Sequence, residues 1–86
     1  MPEISRFYGI VIYMYFREHG PAHFHAVYGN NEVLISIDTL AAIAGWLPPR
    51  AMGLVLEWAS LHKDELKKNW TNVCNHQKPE KIEPLK

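Results

Sequence analysis

Five histidines occur in this 86-residue chain, and the spacing of three of them suggests shared chemistry. His23 and His25 flank Phe24 in the run His-Phe-His-Ala-Val-Tyr, which otherwise reads as a strand. Side chains two residues apart on a strand share a face. Two imidazoles so placed can face one divalent cation, or serve as proton donor and proton acceptor. His62 falls near the centre of the apolar stripe of a long helical pattern, with Glu65 three residues on and Asn69 seven on. If that stripe docks on the strand face carrying His23 and His25, then His23, His25, His62 and Glu65 form one pocket. The plainer alternative is two half-exposed rings packed by their faces, with His62 hydrogen-bonded to Glu65 or to a backbone carbonyl. Arg50 and Arg6 are the candidates for anion contact. Arg50 sits in the first turn of the helix, where a cation opposes the macrodipole and needs compensation. A salt bridge to Glu57 or Glu3 is the structural alternative.

The elements that must position these residues follow from hydropathy patterning. Phe7 to Phe16 is almost wholly β-branched or aromatic and reads as one central strand. Glu18-His19-Gly20-Pro21 is a turn signal, His23 to Tyr28 a second strand, Gly29-Asn30-Asn31 a turn, and Val33 to Asp38 a third strand. Ala42 to Trp46, cut short by Gly45 and Pro48-Pro49, reads as a fourth, edge strand. Pro49 suits a helix start, and a helix over 49–70 places Ala51, Leu54, Val55, Trp58, Ala59 and Leu66 on one face. At 1.5 Å per residue it spans about 33 Å, close to the roughly 30 Å of a nine-residue strand. The expected fold is therefore α+β, one domain over 1–86. It has an antiparallel meander of three to four strands (roughly 7–47) covered on one face by one long helix (49–70), and an extended tail over 71–86. The tail's Ile82 and Leu85 suit docking on a sheet edge or a partner.

Composition bounds the function. Nine basic and nine acidic residues cancel, so there is no basic footprint of the kind nucleic-acid binders show. Cys74 is the sole cysteine and lies in no activating environment, which excludes an internal disulfide and a thiolate metal site. The longest apolar stretch, Gly9 to Phe16, falls far short of the roughly 20 residues that span a membrane. The first residues do not read as a signal peptide, and the expected location is the cytoplasm. Trp46, Trp58 and Trp70 read most simply as core or rim; stacking of RNA bases on Trp46 or Tyr28 lacks basic interleaving to support it.

The segments "MPEISRFYGIVIYMY", "PAHFHA", "LPPRAMGLVLEWASLHKDELKKNW" and "KIEPL" together resemble a small bacterial family known as domain of unknown function 4160. The likeness runs over nearly the whole chain. The family pattern has two prolines before the first histidine, where this chain has Pro21-Ala22. The resemblance implies a gene pair with a second small protein, similar to a toxin–antitoxin module, in which this chain is the toxin-like member. The family's recurrent positions correspond here to Arg6, His23, His25, Arg50, Glu57, Trp58, His62, Glu65 and Trp70.

Two functional expectations follow. In the first, the chain is a toxin-like, metal-independent ribonuclease. His23, His25 and His62 supply acid and base, and Arg50 or Arg6 stabilises the phosphorane charge; its weakness is the neutral net charge. In the second there is no catalysis. The chain is a metal-binding module holding zinc or a similar ion on His23, His25, His62 and Glu65, or an interaction module whose sheet edge and "KIEPL" tail pair with the cognate small protein. A sheet edge also allows a homo-oligomer. A DNA-binding regulator lacks a helix-turn-helix pattern.

Overall fold

The computed structural model describes residues 2–16 and 19–86. The fold is α+β: a five-stranded antiparallel sheet, ordered β1-β2-β3-β4-β5, followed by two helices. The strands are β1 (Glu3–Phe7), β2 (Ile10–Tyr13), β3 (His23–Tyr28), β4 (Asn31–Ser36) and β5 (Ala42–Gly45). The helices are α1 (Pro49–Leu61) and α2 (Lys63–Cys74). The expected meander and edge strand are present, but with five strands and two helices in place of three to four strands and one helix.

The expected single strand over 7–16 is in fact the end of a hairpin. Phe7 pairs with Ile10, and Tyr8 and Gly9 form the two-residue turn at φ +50° and +80°. Two successive positive φ values define the type I′ turn that matches strand twist, normally built from Asn-Gly or Asp-Gly. A tyrosine there, inside a β-forming run, conceals the turn. The next hairpin is conventional: Tyr28 pairs with Asn31 across Gly29-Asn30, with Gly29 at φ +60°. The turn expected at Glu18-His19-Gly20-Pro21 falls partly on Glu18, outside the described residues.

The expected single helix over 49–70 is divided in two. Strands of four to six residues span only about 13–20 Å, and the thirteen residues of α1 span about 20 Å. A straight helix over 49–70 would overshoot the sheet by a third of its length or more. The chain instead breaks at His62 (φ −126°, ψ 27°), which closes α1 through its N–H to Ala59 O and opens α2 through its O to Leu66 N. Lys63 Nζ donates to Asp38 O at 2.6 Å, tying the break to the end of β4.

Alternation along β3 decides which face is the core. Phe24 and Ala26 are fully buried with Ile10, Ile12, Val33 and Ile35, while Ala51, Val55, Trp58 and Ala59 form the buried stripe of α1. The Trp58 ring lies 5.4 Å from Phe7 and 5.9 Å from Phe24, so α1 docks on the Phe24 side of the sheet. Leu66 and Val73 continue the core from α2.

The tail is docked on its own chain. Asn69, buried in α2, takes the N–H of Glu80 on Oδ1 and donates Nδ2 to Glu80 O, both at 2.8 Å. The indole N–H of Trp58 donates to Glu83 O, and the Ile82 N–H to Ile4 O, each at 2.8 Å. Ile82 is thereby buried along β1 and covers that edge of the sheet.

The other edge is bare. All four residues of β5 are exposed, with Ile43 at 47% and the following Trp46 at 60%. β5 is held closely to β4. Gly45, at φ +82°, lies opposite Val33, a Cβ there would run into the carbonyl oxygen of Glu32, and the Trp46 N–H donates to that same oxygen at 3.0 Å. Only glycine fits this approach.

Candidate functional site

Because Phe24 and Ala26 face α1, His23 and His25 face the other way, and neither lies under α1. Both are nonetheless buried, at 5% and 8% exposure, inside a row of rings. Tyr13 stacks on Tyr15 at 6.4 Å, Tyr15 meets His25 edge-on at 4.4 Å, His25 lies 5.2 Å from His23, and His23 lies 5.1 Å from Trp70 of α2. His23 Nδ1 donates to Pro21 O at 2.8 Å, and His25 Nδ1 to Glu32 Oε2 at 3.0 Å. Each acceptor can only accept, so the neutral rings carry their proton on Nδ1. Glu32 lies diagonally across the hairpin from His25, opposite Val27, within reach of a cross-strand contact. The row is thus packed by ring edges and anchored by carbonyl and carboxylate.

His62 lies elsewhere. At the helix break its Nδ1 donates to Glu65 Oε1 at 2.6 Å, and its ring packs 5.7 Å from Trp58. It borders an open groove of about 380 Å³ with Leu61, Glu57 and the tail residues Glu83 to Lys86. No hydrogen bond, ion pair or ring contact joins His62 to His23 or His25. Among the described residues no three of the histidine, cysteine and acidic side chains are placed to hold one metal ion. The expected pocket of His23, His25, His62 and Glu65 therefore separates into two pairs. Its premise fails because α1 covers the alternate face of β3.

The arginines also part company. Arg6 Nη2 is 2.9 Å from Glu3 Oε1, the structural alternative expected for it. That bond, with the charges of Arg6 and Lys81, holds the Glu3 carboxyl below the usual carboxylate range against the opposing effect of burial. Arg50, in the first turn of α1, makes no ion pair with Glu57, Glu3 or any other described residue. Twelve residues of helix separate it from His62, about 18 Å at 1.5 Å per residue, so the two cannot act on one phosphate.

A model of a family described as a domain of unknown function, DUF4160, matches residues 9–71. The chain belongs to this family. Comparisons with curated proteins and with solved structures give no match. The matched part runs from the β1–β2 turn into α2, so it contains β5, His23 and His25, His62 and Glu65, and Arg50, while β1 and the docked tail lie outside it.

Sequence reasoning missed two residues. Tyr8 hides in a strand-like run. Glu32 was legible from the hairpin register, since a two-residue turn at Gly29-Asn30 places it diagonal to His25.

Proposed function

We propose that this DUF4160 chain is a partner-binding component of a two-protein, toxin–antitoxin-like module, and that it takes an extended segment of the cognate small protein onto β5 as a sixth strand. One observation carries the reading: the sheet has two edges, and the described residues cover only one. β1 is closed by the chain's own tail through Ile82, whereas β5, Ala-Ile-Ala-Gly, has no charge and no proline and is exposed throughout. An uncovered apolar edge presents unpaired N–H and C=O groups, a liability that proteins normally blunt with lysine, proline or a covering segment. Such an edge is the receptor in β-strand addition: main-chain bonds supply affinity, and side chains such as Ile43 and Trp46 supply specificity. The four-residue length and the register shift between Leu34 and Ile35 limit the addition to one short segment. The resemblance to paired-gene modules supports the identity of that segment's source. Ile43→Lys places a charge on the exposed edge without touching the core. Co-expressed with its small partner, the variant is expected to stay folded and to lose co-elution on size exclusion; retained co-elution contradicts the reading.

A second reading, RNA cleavage, has one observation in its favour. Glu65 holds the His62 Nδ1–H at 2.6 Å beside an open groove, the arrangement that orients an imidazole as a general base. On this reading His62→Ala abolishes growth inhibition while His23→Ala does so only by unfolding the chain. Inhibition that survives His62→Ala removes it.

A further inference from the structure

Two residues violate the local rules of their own elements, and they line the same groove. Tyr8 occupies a positive-φ turn position where a bulky side chain is strained and Asn or Gly is at ease. Its ring is 60% exposed, so packing does not explain it. Arg50 sits in the first turn of a helix that has no acidic residue there and no side-chain cap, where its charge is opposed by the macrodipole, and no carboxylate of the described residues pairs with it. Places where a sequence breaks a local rule without structural gain are the expected marks of function.

The groove lies where the β1–β2 turn, the β3–β4 turn and the start of α1 meet. It holds about 300 Å³ and is lined by Ile10, Ala51, Leu54, Tyr8, Tyr28 and Arg50, the only charge among its described lining residues. The Tyr28 ring lies beside the turn: a Cβ on Gly9 would lie 3.4 Å from its Cε1. This volume is at the small end of ligand pockets. Exposed aromatic rings stack nucleobases of any sequence, and a guanidinium free of carboxylates grips a phosphate through two parallel N–H bonds. With a single cation and no acidic lining, the groove suits one phosphate.

We propose that this groove binds a nucleoside monophosphate unit, its base against Tyr8 and Tyr28 and its phosphate on Arg50. A free nucleotide and the 5′-phosphorylated end of a single-stranded RNA share that chemistry. The site is separate from β5, and the proposal does not rest on partner binding there.

The test is an amide chemical-shift titration of the full chain with uridine and adenosine monophosphates, a 5′-phosphorylated tetranucleotide, uridine and inorganic phosphate. Shifts at Gly9, Tyr28, Arg50 and Ala51 with the monophosphates, and weaker ones with uridine or phosphate alone, are expected. Tighter binding of the tetranucleotide assigns the source to RNA, and equal or weaker binding assigns it to free nucleotide. Tyr8→Asn and Arg50→Gln are each expected to weaken binding by about tenfold or more while leaving Tm unchanged or higher, because each relieves a local conflict. No shift at the groove at millimolar nucleotide, phosphate alone binding as well as the nucleotides, or variants that lose Tm and keep binding would overturn the proposal.

Discussion

His23 and His25 donate to Pro21 O and Glu32 Oε2, with their rings set between Tyr15 and Trp70. The two rings on this strand face are buried and meet their neighbours by edges, where the plainer expectation had them half-exposed and packed by their faces. Asn69 illustrates the converse. From periodicity it is a polar intrusion into an apolar stripe; in the fold it is a two-pronged clamp whose amide replaces the missing partners of Glu80's N–H and C=O. The sequence shows that Asn69 is out of place but not what it holds, because its partner lies eleven residues away in a segment without periodicity. Asn69→Ala leaves both backbone groups of Glu80 to find water or remain unsatisfied. It is expected to lower stability by about 1–3 kcal/mol, measured by chemical denaturation, with faster amide exchange at Glu80 and Ile82. An unchanged exchange rate at those amides would show that the tail is held by Trp58 and Ile4 alone.

Among the elements, β3 was legible because its pattern is clean, with alternation in His23–Tyr28 and a conventional Gly-Asn turn after it; the edge strand β5 was legible only through the breakers Gly45 and Pro48-Pro49, since the run Ala41 to Ala44 suits a helical turn as well. The hairpin at Tyr8-Gly9 was not, because a tyrosine at positive φ resembles the strand around it. The run 7–16 therefore reads as one strand where the chain turns back at Tyr8-Gly9. The break at His62 has no proline or glycine to announce it. The separation of the candidate site has a similar origin, since periodicity tells which residues share a face but not which face a helix covers. At β5 the geometry is narrow. Gly45→Ala introduces a Cβ against Glu32 O at a φ that alanine resists, and is expected to cost more than about 1 kcal/mol. Amide exchange should rise first in Ala42–Trp46; equal loosening of all five strands would mean that β5 is integral to the core.

For the molecule as a whole, the two ends of α1 serve different surroundings: Arg50 beside the tyrosine-walled groove, His62 at the helix break. A net charge of zero leaves no long-range field to gather nucleic acid, so recognition must rest on local surfaces. The two edges of the sheet differ, β1 being closed by the tail and β5 exposed, and the proposed strand addition rests on that difference. No helix among the described residues is long and apolar enough to cross a membrane. The measurement that bears most directly on the proposed partner capture is amide hydrogen exchange of the chain alone and mixed with the small protein proposed as its partner. The account predicts that the β5 amides that make no bond to β4 exchange rapidly in the free chain and become protected on binding, while the Trp46 amide, already bonded to Glu32 O, and β1 under its tail are unchanged. Protection at β5 already present in the free chain and rising with its concentration would assign the edge to a second copy. Protection confined to other surfaces of the complex would contradict the account.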